Sequence, residues 1–184
     1  MKVFFKKLVE DAIIPTYAHE GDSGFDLYSV KDTIIYPGIP RGVPTGLAVV
    51  LPKSYTLFDA QPYPLIIQFE MQIRPKSGLA LKGLSVFNTP GTIDNGYRGV
   101  IIVILQSIAD RPIEIHKGDK IAQGVIVPVI CAPEITLEEI GVLDETTRGV
   151  DGFGSTGYTY KNEGENDGGK DDSGSSLKGI YRSG

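Results

Sequence analysis

The most reactive combination of residue types in the chain lies in residues 88–99, NTPGTIDNGYRG. Asn95-Gly96 favours a two-residue type I′ hairpin turn, because both central positions of that turn need a positive φ. In such a hairpin Asp94 and Tyr97 lie opposite each other and project to the same face. A carboxylate can orient and deprotonate a water, and an aromatic ring can support a flat or sugar-like ligand. The segment is a candidate catalytic hairpin, and an ordinary surface hairpin is the alternative.

Two further segments contain residue types that suit phosphate binding. Residues 74–83, RPKSGLALKG, place Ser77-Gly78 before a short helix-forming run. A serine N-cap at such a start leaves N–H groups that attract anions. Residues 148–157, RGVDGFGSTG, combine four glycines with an arginine, a phenylalanine and a Ser-Thr pair, which suits phosphate binding and stacking. A simple helix cap and a glycine-rich linker are the respective alternatives.

Composition limits the compartment and the partners. The 184 residues, 41% hydrophobic and 22% charged, are typical of a globular domain with some additional sequence. A net charge of −5 argues against a protein whose affinity depends on a nucleic-acid backbone. The single cysteine fits a reducing cytosol, and no apolar run is long enough to span a bilayer. We therefore expect a cytoplasmic protein that binds neither nucleic acid nor membrane.

Short apolar and β-branched runs, separated by Gly- and Pro-rich turns, predict an all-β sandwich or barrel-like fold. Strands are expected within residues 3–9, 17–30, 33–37, 46–52, 54–74 (two strands), 100–108 and 113–130 (two strands). The run at 100–108, VIIVILQSI, predicts a buried central strand. Residues 37–44 are interpreted as a Pro/Gly-rich connection, and residues 134–145 as either a short helix or an irregular strand. From residue 160 the chain is rich in glycine, serine and charge, which predicts disorder.

Five segments, taken in order, resemble the five motifs of the trimeric dUTP pyrophosphatase (dUTPase) family. They are the three segments above together with AHEGDSGFDL at 18–27 and GDKIAQGVIVP at 118–128. The resemblance covers roughly residues 3–158. It implies a single all-β domain with the distorted jelly-roll (dUTPase-like, β-clip) fold and very little helix. It also implies a homotrimer whose active sites are shared between subunits. The expected organisation is a β domain at 1–147, a glycine-rich arm at 148–158 that completes the active site, and a disordered tail at 159–184.

The activity that the resemblance implies is hydrolysis of dUTP to dUMP and pyrophosphate by water attack on the α-phosphorus, with Mg²⁺. This activity limits uracil incorporation into DNA and supplies dUMP for thymidylate synthesis. Asp94 matches the family's catalytic carboxylate, and Tyr97 matches the tyrosine that packs under the deoxyribose and excludes a 2′-hydroxyl. Asn88 and the backbone of Gly91, Thr92 and Ile93 resemble the segment that reads the uracil edge.

The remaining motifs imply contacts with the triphosphate and its metal. Asp26 matches an aspartate that supports Mg²⁺ through water, while the triphosphate itself holds most of the metal's coordination. The implied substrate-binding residues outside the third motif are Lys76, Ser77, Gly78, Gln123, Arg148, Phe153, Gly154, Ser155 and Thr156. In the family the arm's arginine, serine and threonine bind the γ-phosphate, and its phenylalanine stacks on uracil.

The chain departs from the family pattern at three places. Lys76 stands where the family generally has arginine, so the charge is kept but the planar bidentate fork is lost. Asp151 stands where the fifth motif usually has glycine. Residues 54–70 look longer than the usual connection, which suggests an additional hairpin.

Two alternative functions remain within this fold. A dCTP deaminase needs a glutamate on the strand after the third motif, and VIIVILQSI contains no carboxylate. A nucleotide-binding regulatory module would act through the additional hairpin or the tail. The presence of Asp94 and Tyr97 argues against an inactive site.

Overall fold

The computed structural model describes residues 1–58, 65–130 and 135–149. The chain divides into two units, Met1–Leu137 and Glu138–Gly184. The described residues of the second unit, 138–149, form turns, bends and irregular backbone. Residues 150–184, which include most of the expected arm and the whole expected tail, lie outside the described residues, as do Cys131 and the proline-bearing segment 59–64.

The described residues form twelve β-strands and one short helix, all in the first unit. The first six strands are β1 (Phe4–Lys7), β2 (Gly24–Tyr28), β3 (Thr33–Ile35), β4 (Arg41–Pro44), β5 (Leu47–Val50) and β6 (Tyr55–Phe58). They are followed by β7 (Leu65–Arg74), α1 (Ser77–Ala80), β8 (Leu84–Val86), β9 (Gly91–Ile93), β10 (Ile102–Ser107), β11 (Ile113–Ile115) and β12 (Lys120–Val129). The prediction of an all-β fold is confirmed.

The strands form four antiparallel sheets. The largest has the order β2-β12-β7-β6, and β9 also pairs with β7. The order β4-β10-β8 forms a three-stranded sheet, and β1-β5 and β11-β3 form two-stranded sheets. On β7, β6 pairs with residues 65–67 and β9 with residues 71–73, while β12 pairs with residues 68–74. Strand β7 therefore lies between the long strand β12 on one side and two short strands on the other.

A single core cluster draws side chains from all four sheets. Leu27 and Met71 come from the five-stranded sheet, Leu105 from the three-stranded sheet, and Ile35 and Leu47 from the two small sheets. All five are fully buried. Because side chains alternate along a strand, the residues next to Leu27 and Met71 face the other side of the sheet. That other side is where the polar residues of β2, β7 and β12 collect.

Several predicted elements match the structure and two do not. Residues 54–74 contain two paired strands, β6 and β7, as predicted. Residues 41–44 were interpreted as a connection but form β4, which pairs with β10. Residues 135–145, expected to be a short helix or an irregular strand, form neither.

The strand predicted at 100–108 is β10, and its central place between β4 and β8 is confirmed. The expected burial is wrong, because burial alternates along β10 rather than being continuous. Val103 and Leu105 are fully buried, whereas Ile102 is 44% exposed. A sheet covered on one face buries only alternate residues, even when both faces of the strand are β-branched.

Candidate active site

The register of the five-stranded sheet places three polar residues in one row. On β12, Gln123 lies opposite Asp26 of β2 on one side and Arg74 of β7 on the other. Directly opposed residues project to the same face, so all three side chains point away from the core. Strand pairing therefore brings the first motif, the beginning of the second and the fourth to one end of the sheet.

Asp26 is the charged centre of this row. Its side chain is only 9% exposed, and both carboxylate oxygens bind ammonium groups. Lys76 pairs with Oδ1, and Lys120 pairs with Oδ2 at 2.7 Å. Burial raises the pKa of Asp26, but the hydrogen bonds and charges of Lys120 and Lys76 outweigh burial and hold the pKa below its usual range. The hydrogen bond to Asp26 and its charge in turn raise the pKa of Lys120.

A cavity of about 220 Å³ opens beside Asp26. It is lined by Ala18, Asp22, Ser23, Gly24, Asp26, Lys76 and Gln123. Gly24 leaves room for the carboxamide of Gln123, because a Cβ at this position would lie 2.8 Å from Oε1 and the Gln123 side chain would have to shift. Two carboxylates, an ammonium and a carboxamide make this cavity suitable for a polar ligand that contains both an anion and a metal ion.

The helix start beside the cavity differs from the sequence prediction. Ser77 was expected to be the N-cap, but Lys76 occupies that position in extended backbone and makes no side-chain cap hydrogen bond. Ser77 is the first helical residue, and both Ser77 and Gly78 are exposed. The first N–H groups of a helix have no partner within it, so Ser77 and Gly78 present donors next to the ammonium of Lys76. Ser77 and Gly78 therefore remain candidates for anion binding, but the N-cap of the helix is Lys76 rather than Ser77.

The third motif forms a turn at the end of β9, on the opposite edge of β7. The N–H of Tyr97 donates to the carbonyl of Asp94 at 3.0 Å, which closes the turn. The predicted type I′ hairpin is wrong, because Gly96 does not have a positive φ and the chain after the turn does not pair with β9. Asp94 is exposed, and Arg98 donates to the carbonyl oxygens of Asn95 at 2.6 Å and Tyr97 at 2.8 Å.

The ring of Tyr97 folds back over the residues that follow the turn. Its hydroxyl donates to the carbonyl of Val100 at 3.0 Å, and the ring passes directly over Gly99. A Cβ at Gly99 would overlap the phenol, so a glycine is needed for this close approach. Tyr97 is still 42% exposed. One face of the ring is therefore supported by the protein, and part of the ring remains open to a ligand.

Asn88 and β9 form a second polar edge near the turn. The side chain of Asn88 lies against Gly91, where a Cβ would be 3.0 Å from Nδ2. Asn88 and Thr92 are exposed, and Ile93 is partly buried. Among the described strands, β9 pairs only with β7, so its other edge presents backbone donors and acceptors. The residues predicted to read a base edge are thus neighbours in the structure.

The predicted residues form two groups, one around Asp26 and one around Asp94, that lie on the same sheet but are separated in space. Strand β9 is separated from β2 by β7 and β12, and three strand spacings correspond to about 14 Å. A single chain therefore does not bring Asp94 next to Asp26. Arg148 is exposed in the second unit, and Phe153, Gly154, Ser155 and Thr156 lie outside the described residues, as does Asp151.

Three residues that contribute to these groups were missed by sequence reasoning. Lys120 binds Asp26, Arg98 braces the turn, and Asn95 donates a long-range hydrogen bond to the carbonyl of Pro52. The signal for Lys120 was its place in GDKIAQG, three residues before Gln123. Only the register of β12 against β2, with its irregularity between Lys120 and Ala122, directs that lysine to the carboxylate.

The fold and these two groups define an all-β protein with a polar, lysine-bearing cavity suited to an anionic ligand. The family model for dUTPase matches residues 10–157. The chain belongs to the dUTPase family, the dUTP diphosphatases, so the predicted family and enzyme class are confirmed.

Individual relatives agree with the family model. The deoxyuridine 5′-triphosphate nucleotidohydrolase of Clostridium tetani is 46% identical over 153 residues, 83% of this chain and 94% of that protein. The protein of the same name from Gloeothece citriformis is 47% identical over 160 residues, 86% of this chain and 99% of that protein. The solved dUTPase of Staphylococcus bacteriophage 80alpha with dUPNHPP has a TM-score of 0.70 at 22% identity, covering 85% of this chain and 99% of that one. This last likeness confirms the predicted dUTPase-like fold.

No helix among the described residues is long and apolar enough to cross a membrane. No group of three or more His, Cys, Asp or Glu side chains in the described part of the chain is arranged to hold a metal ion.

Proposed function

We propose that this chain hydrolyses dUTP to dUMP and pyrophosphate by attack of water on the α-phosphorus. Asp94 orients the water and accepts its proton. The observation that carries this proposal is the turn at the end of β9, which presents the exposed carboxylate of Asp94 beside the supported ring of Tyr97. A base must reach a water, and a sugar needs a flat surface; this turn provides both.

Uracil is selected by the edge formed by Asn88 and β9. Among the described residues, the edge of Gly91, Thr92 and Ile93 that faces away from β7 has no partner strand, so it offers backbone donors and acceptors. Uracil and cytosine exchange an acceptor for a donor at one position, so a mismatched base leaves polar groups unpaired at a cost of a few kcal/mol. Tyr97 packs under the deoxyribose and leaves no room for a 2′-hydroxyl.

The triphosphate binds at the other group of residues. Ser77 and Gly78 donate from the helix start, Lys76 supplies a charge, and Gln123 supplies a carboxamide. Lys76 and Gln123 line one cavity, and Ser77 and Gly78 directly follow Lys76 at the helix start, which supports this assignment. Their hydrogen bonds and charge hold the triphosphate in place, so these residues contribute mainly to substrate binding.

The side chains around the cavity fit a Mg²⁺ ion that arrives with the triphosphate. Mg²⁺ keeps several waters and is usually bound through one or two carboxylates together with substrate phosphates. Each carboxylate oxygen of Asp26 binds one ammonium and retains a second acceptor site, so Asp26 can accept from a metal-bound water. When bound, the metal would neutralise charge on the phosphates. Asp26 would orient its water shell, and Lys76 would balance the charge beside it.

The expected arm, 148–158, completes the site by closing over the nucleotide. Arg148, Ser155 and Thr156 bind the γ-phosphate, while Phe153 stacks on uracil and Gly154 allows the close approach. A glycine-rich segment can order on binding and exclude water from the reaction, as other lids do. The domain is residues 1–147, and residues 159–184 are a tail that the reaction does not need.

The active enzyme is a homotrimer that assembles each site from more than one subunit. The distance of about 14 Å between β9 and β2 supports this, because one chain separates the proposed base from the proposed phosphate site. The enzyme works in the cytoplasm, limiting uracil incorporation into DNA and supplying dUMP for thymidylate synthesis.

The direct test measures pyrophosphate and ammonia release from dUTP, dCTP, dTTP and UTP, with Mg²⁺ and with EDTA. Pyrophosphate from dUTP alone, abolished by EDTA, is the expected result. Ammonia from dCTP would assign the chain to the deaminase branch instead. If dUTP bound without any turnover, the hydrolytic proposal would fail and a regulatory module would replace it.

A further inference from the structure

Asn95, which directly follows Asp94, connects the third-motif turn to a distant part of the sheet. Its carboxamide nitrogen donates to the carbonyl of Pro52 at 2.8 Å and to the carbonyl of Phe69 at 3.2 Å. These acceptors are 43 and 26 residues away in sequence. Asn95 is partly buried, whereas Asp94 and Gly96 on either side are exposed. The side chain therefore points into the protein at the residue next to the proposed base.

The two acceptors flank the residues of β6 and β7 that pair with each other, 55–58 and 65–67. Pro52 lies three residues before β6 begins, and Phe69 lies on β7. On this edge of β7, β6 covers residues 65–67 and β9 covers residues 71–73. Phe69 sits in the gap between them. The carboxamide of Asn95 takes the place of a strand donor in that gap.

The backbone of Asn95 also takes part in a hydrogen bond. Arg98 donates to the carbonyl oxygen of Asn95 at 2.6 Å. Asn95, directly next to Asp94, is thus held through both its side chain and its carbonyl oxygen. A reacting group loses rate steeply when it moves by even an ångström, so such a brace affects the chemistry.

We propose that Asn95 is a positioning residue for Asp94, acting through the backbone carbonyls of Pro52 and Phe69. This inference rests on the proposed catalytic role of Asp94. These two carbonyls, which belong to the same chain as Asp94, set the position of the turn. Only a side chain with two N–H donors at this length satisfies both acceptors, and asparagine provides them.

The test compares N95D and N95A with the unaltered enzyme, using the full chain. Aspartate has the shape of asparagine but no donor, and it directs a carboxylate at two carbonyl oxygens. We expect N95D to lower kcat by about 10²-fold, and N95A by about tenfold, because the turn loosens. The Kd for a non-hydrolysable dUTP analogue should stay within about threefold, since the nucleotide contacts are unchanged. N162D, which adds the same charge in the expected tail, is the matched control and should keep the wild-type kcat.

Three outcomes would overturn the inference. The first is a kcat within about twofold of wild type for both variants. The second is a parallel loss of kcat and analogue binding. The third is normal activity of N95D with impaired N95A, which would show that the shape of the side chain matters and its N–H donors do not. If N95D does not fold, N95A with the same kcat and Kd measurements decides. D94N separates the role of Asn95 from the proposed function. If D94N is inactive and N95D has a normal kcat, only the positioning role of Asn95 is wrong. A fully active D94N removes Asp94 as the base and with it the proposed mechanism.

Discussion

The two polar regions of the five-stranded sheet are built in opposite ways. At the β2 edge, Asp26 is buried, and both of its oxygens are bound by lysine ammonium groups. At the β9 edge, Asp94 is exposed on a turn held by backbone and carboxamide hydrogen bonds. One carboxylate is kept ionised by the two lysines that bind it, and the other lies on a turn that hydrogen bonds from Asn95 and Arg98 hold in place.

This difference matches two different tasks. A carboxylate that already binds two cations and has a lowered pKa is a poor proton acceptor, but it is a stable charge beside the proposed phosphate and metal site. A solvent-accessible carboxylate on a braced turn can accept a proton from a water. We therefore expect loss of the Asp94 carboxylate to lower kcat, and substitutions at the β2 edge to affect KM and stability.

The largest effect is expected for Asp94→Asn. Removing a general base typically costs 10²–10⁴ in rate, so kcat should fall by about 10³-fold while the Kd of a dUTP analogue stays nearly unchanged. Pyrophosphate release under single-turnover conditions and calorimetric binding measure the two quantities. A near-normal kcat would remove the distinction between the two edges.

Truncations of the arm test whether the residues of the two edges are sufficient for catalysis without the arm. Deleting residues 148–184 should lower kcat/KM by about 10²-fold, because the γ-phosphate loses its contacts and water enters the site. Deleting residues 161–184 is the matched control and should leave kcat/KM unchanged. Equal behaviour of the two truncations would show that the proposed boundary between arm and tail is wrong.

At the β2 edge, Lys76→Gln should raise KM roughly tenfold with little change in kcat, since hydrogen bonds to charged groups contribute about 1.5–3 kcal/mol. K76R should keep most of the affinity because the charge remains. K82Q removes the same charge from an exposed lysine two residues after the helix and serves as the control. A change of kcat alone in K76Q would contradict the assignment of this edge to binding.

The smallest effect is a pH dependence of stability. The pKa of Asp26 is lowered in the folded chain, so its stabilising contribution is present above the ordinary value of 3.8 and is lost as pH falls through the folded value. Urea unfolding should therefore show a progressive decrease in the free energy of unfolding as the pH is lowered through and below 3.8. D26N should lose less stability over this range than the unaltered chain.

Asp11 provides the control for that measurement. A hydrogen bond from Lys117 and its charge also lower the pKa of Asp11, but the side chain is 63% exposed. Solvent screening reduces the contribution of exposed pairs, so D11N should change the acid dependence less than D26N. The reverse order would show that burial between Lys76 and Lys120 does not matter at this edge.

Strands with strong local patterns could be predicted, and those defined by pairing could not. The apolar run of β10 and the two strands flanking Pro62 and Pro64 are evident in the sequence. Residues 41–44 are RGVP, a composition typical of a turn, and they become β4 only because β10 provides a partner. Strand formation depends on neighbours more than on intrinsic preference, which explains this miss.

The turn at Asp94 shows the same limit at a finer scale. Asn-Gly locally favours type I′, but in the structure the side chain of Asn95 is used for hydrogen bonds to Pro52 and Phe69. The hydrogen bonds of Asn95 to residues far away in sequence thus accompany a turn that is not the locally favoured type I′ turn. Ser77 was likewise a reasonable N-cap by type, yet Lys76 takes that position while its ammonium reaches Asp26.

The sequence by itself determined the all-β class and the residue types available for chemistry, because alternation and turn residues are local properties. It also identified the five motifs and their order, and hence the family. Only the tertiary structure decided which of those residues meet, because strand register is set by partners far apart in the chain. That register surrounds Asp26 with two lysines at one edge and anchors the turn of Asp94, through Asn95, at the other.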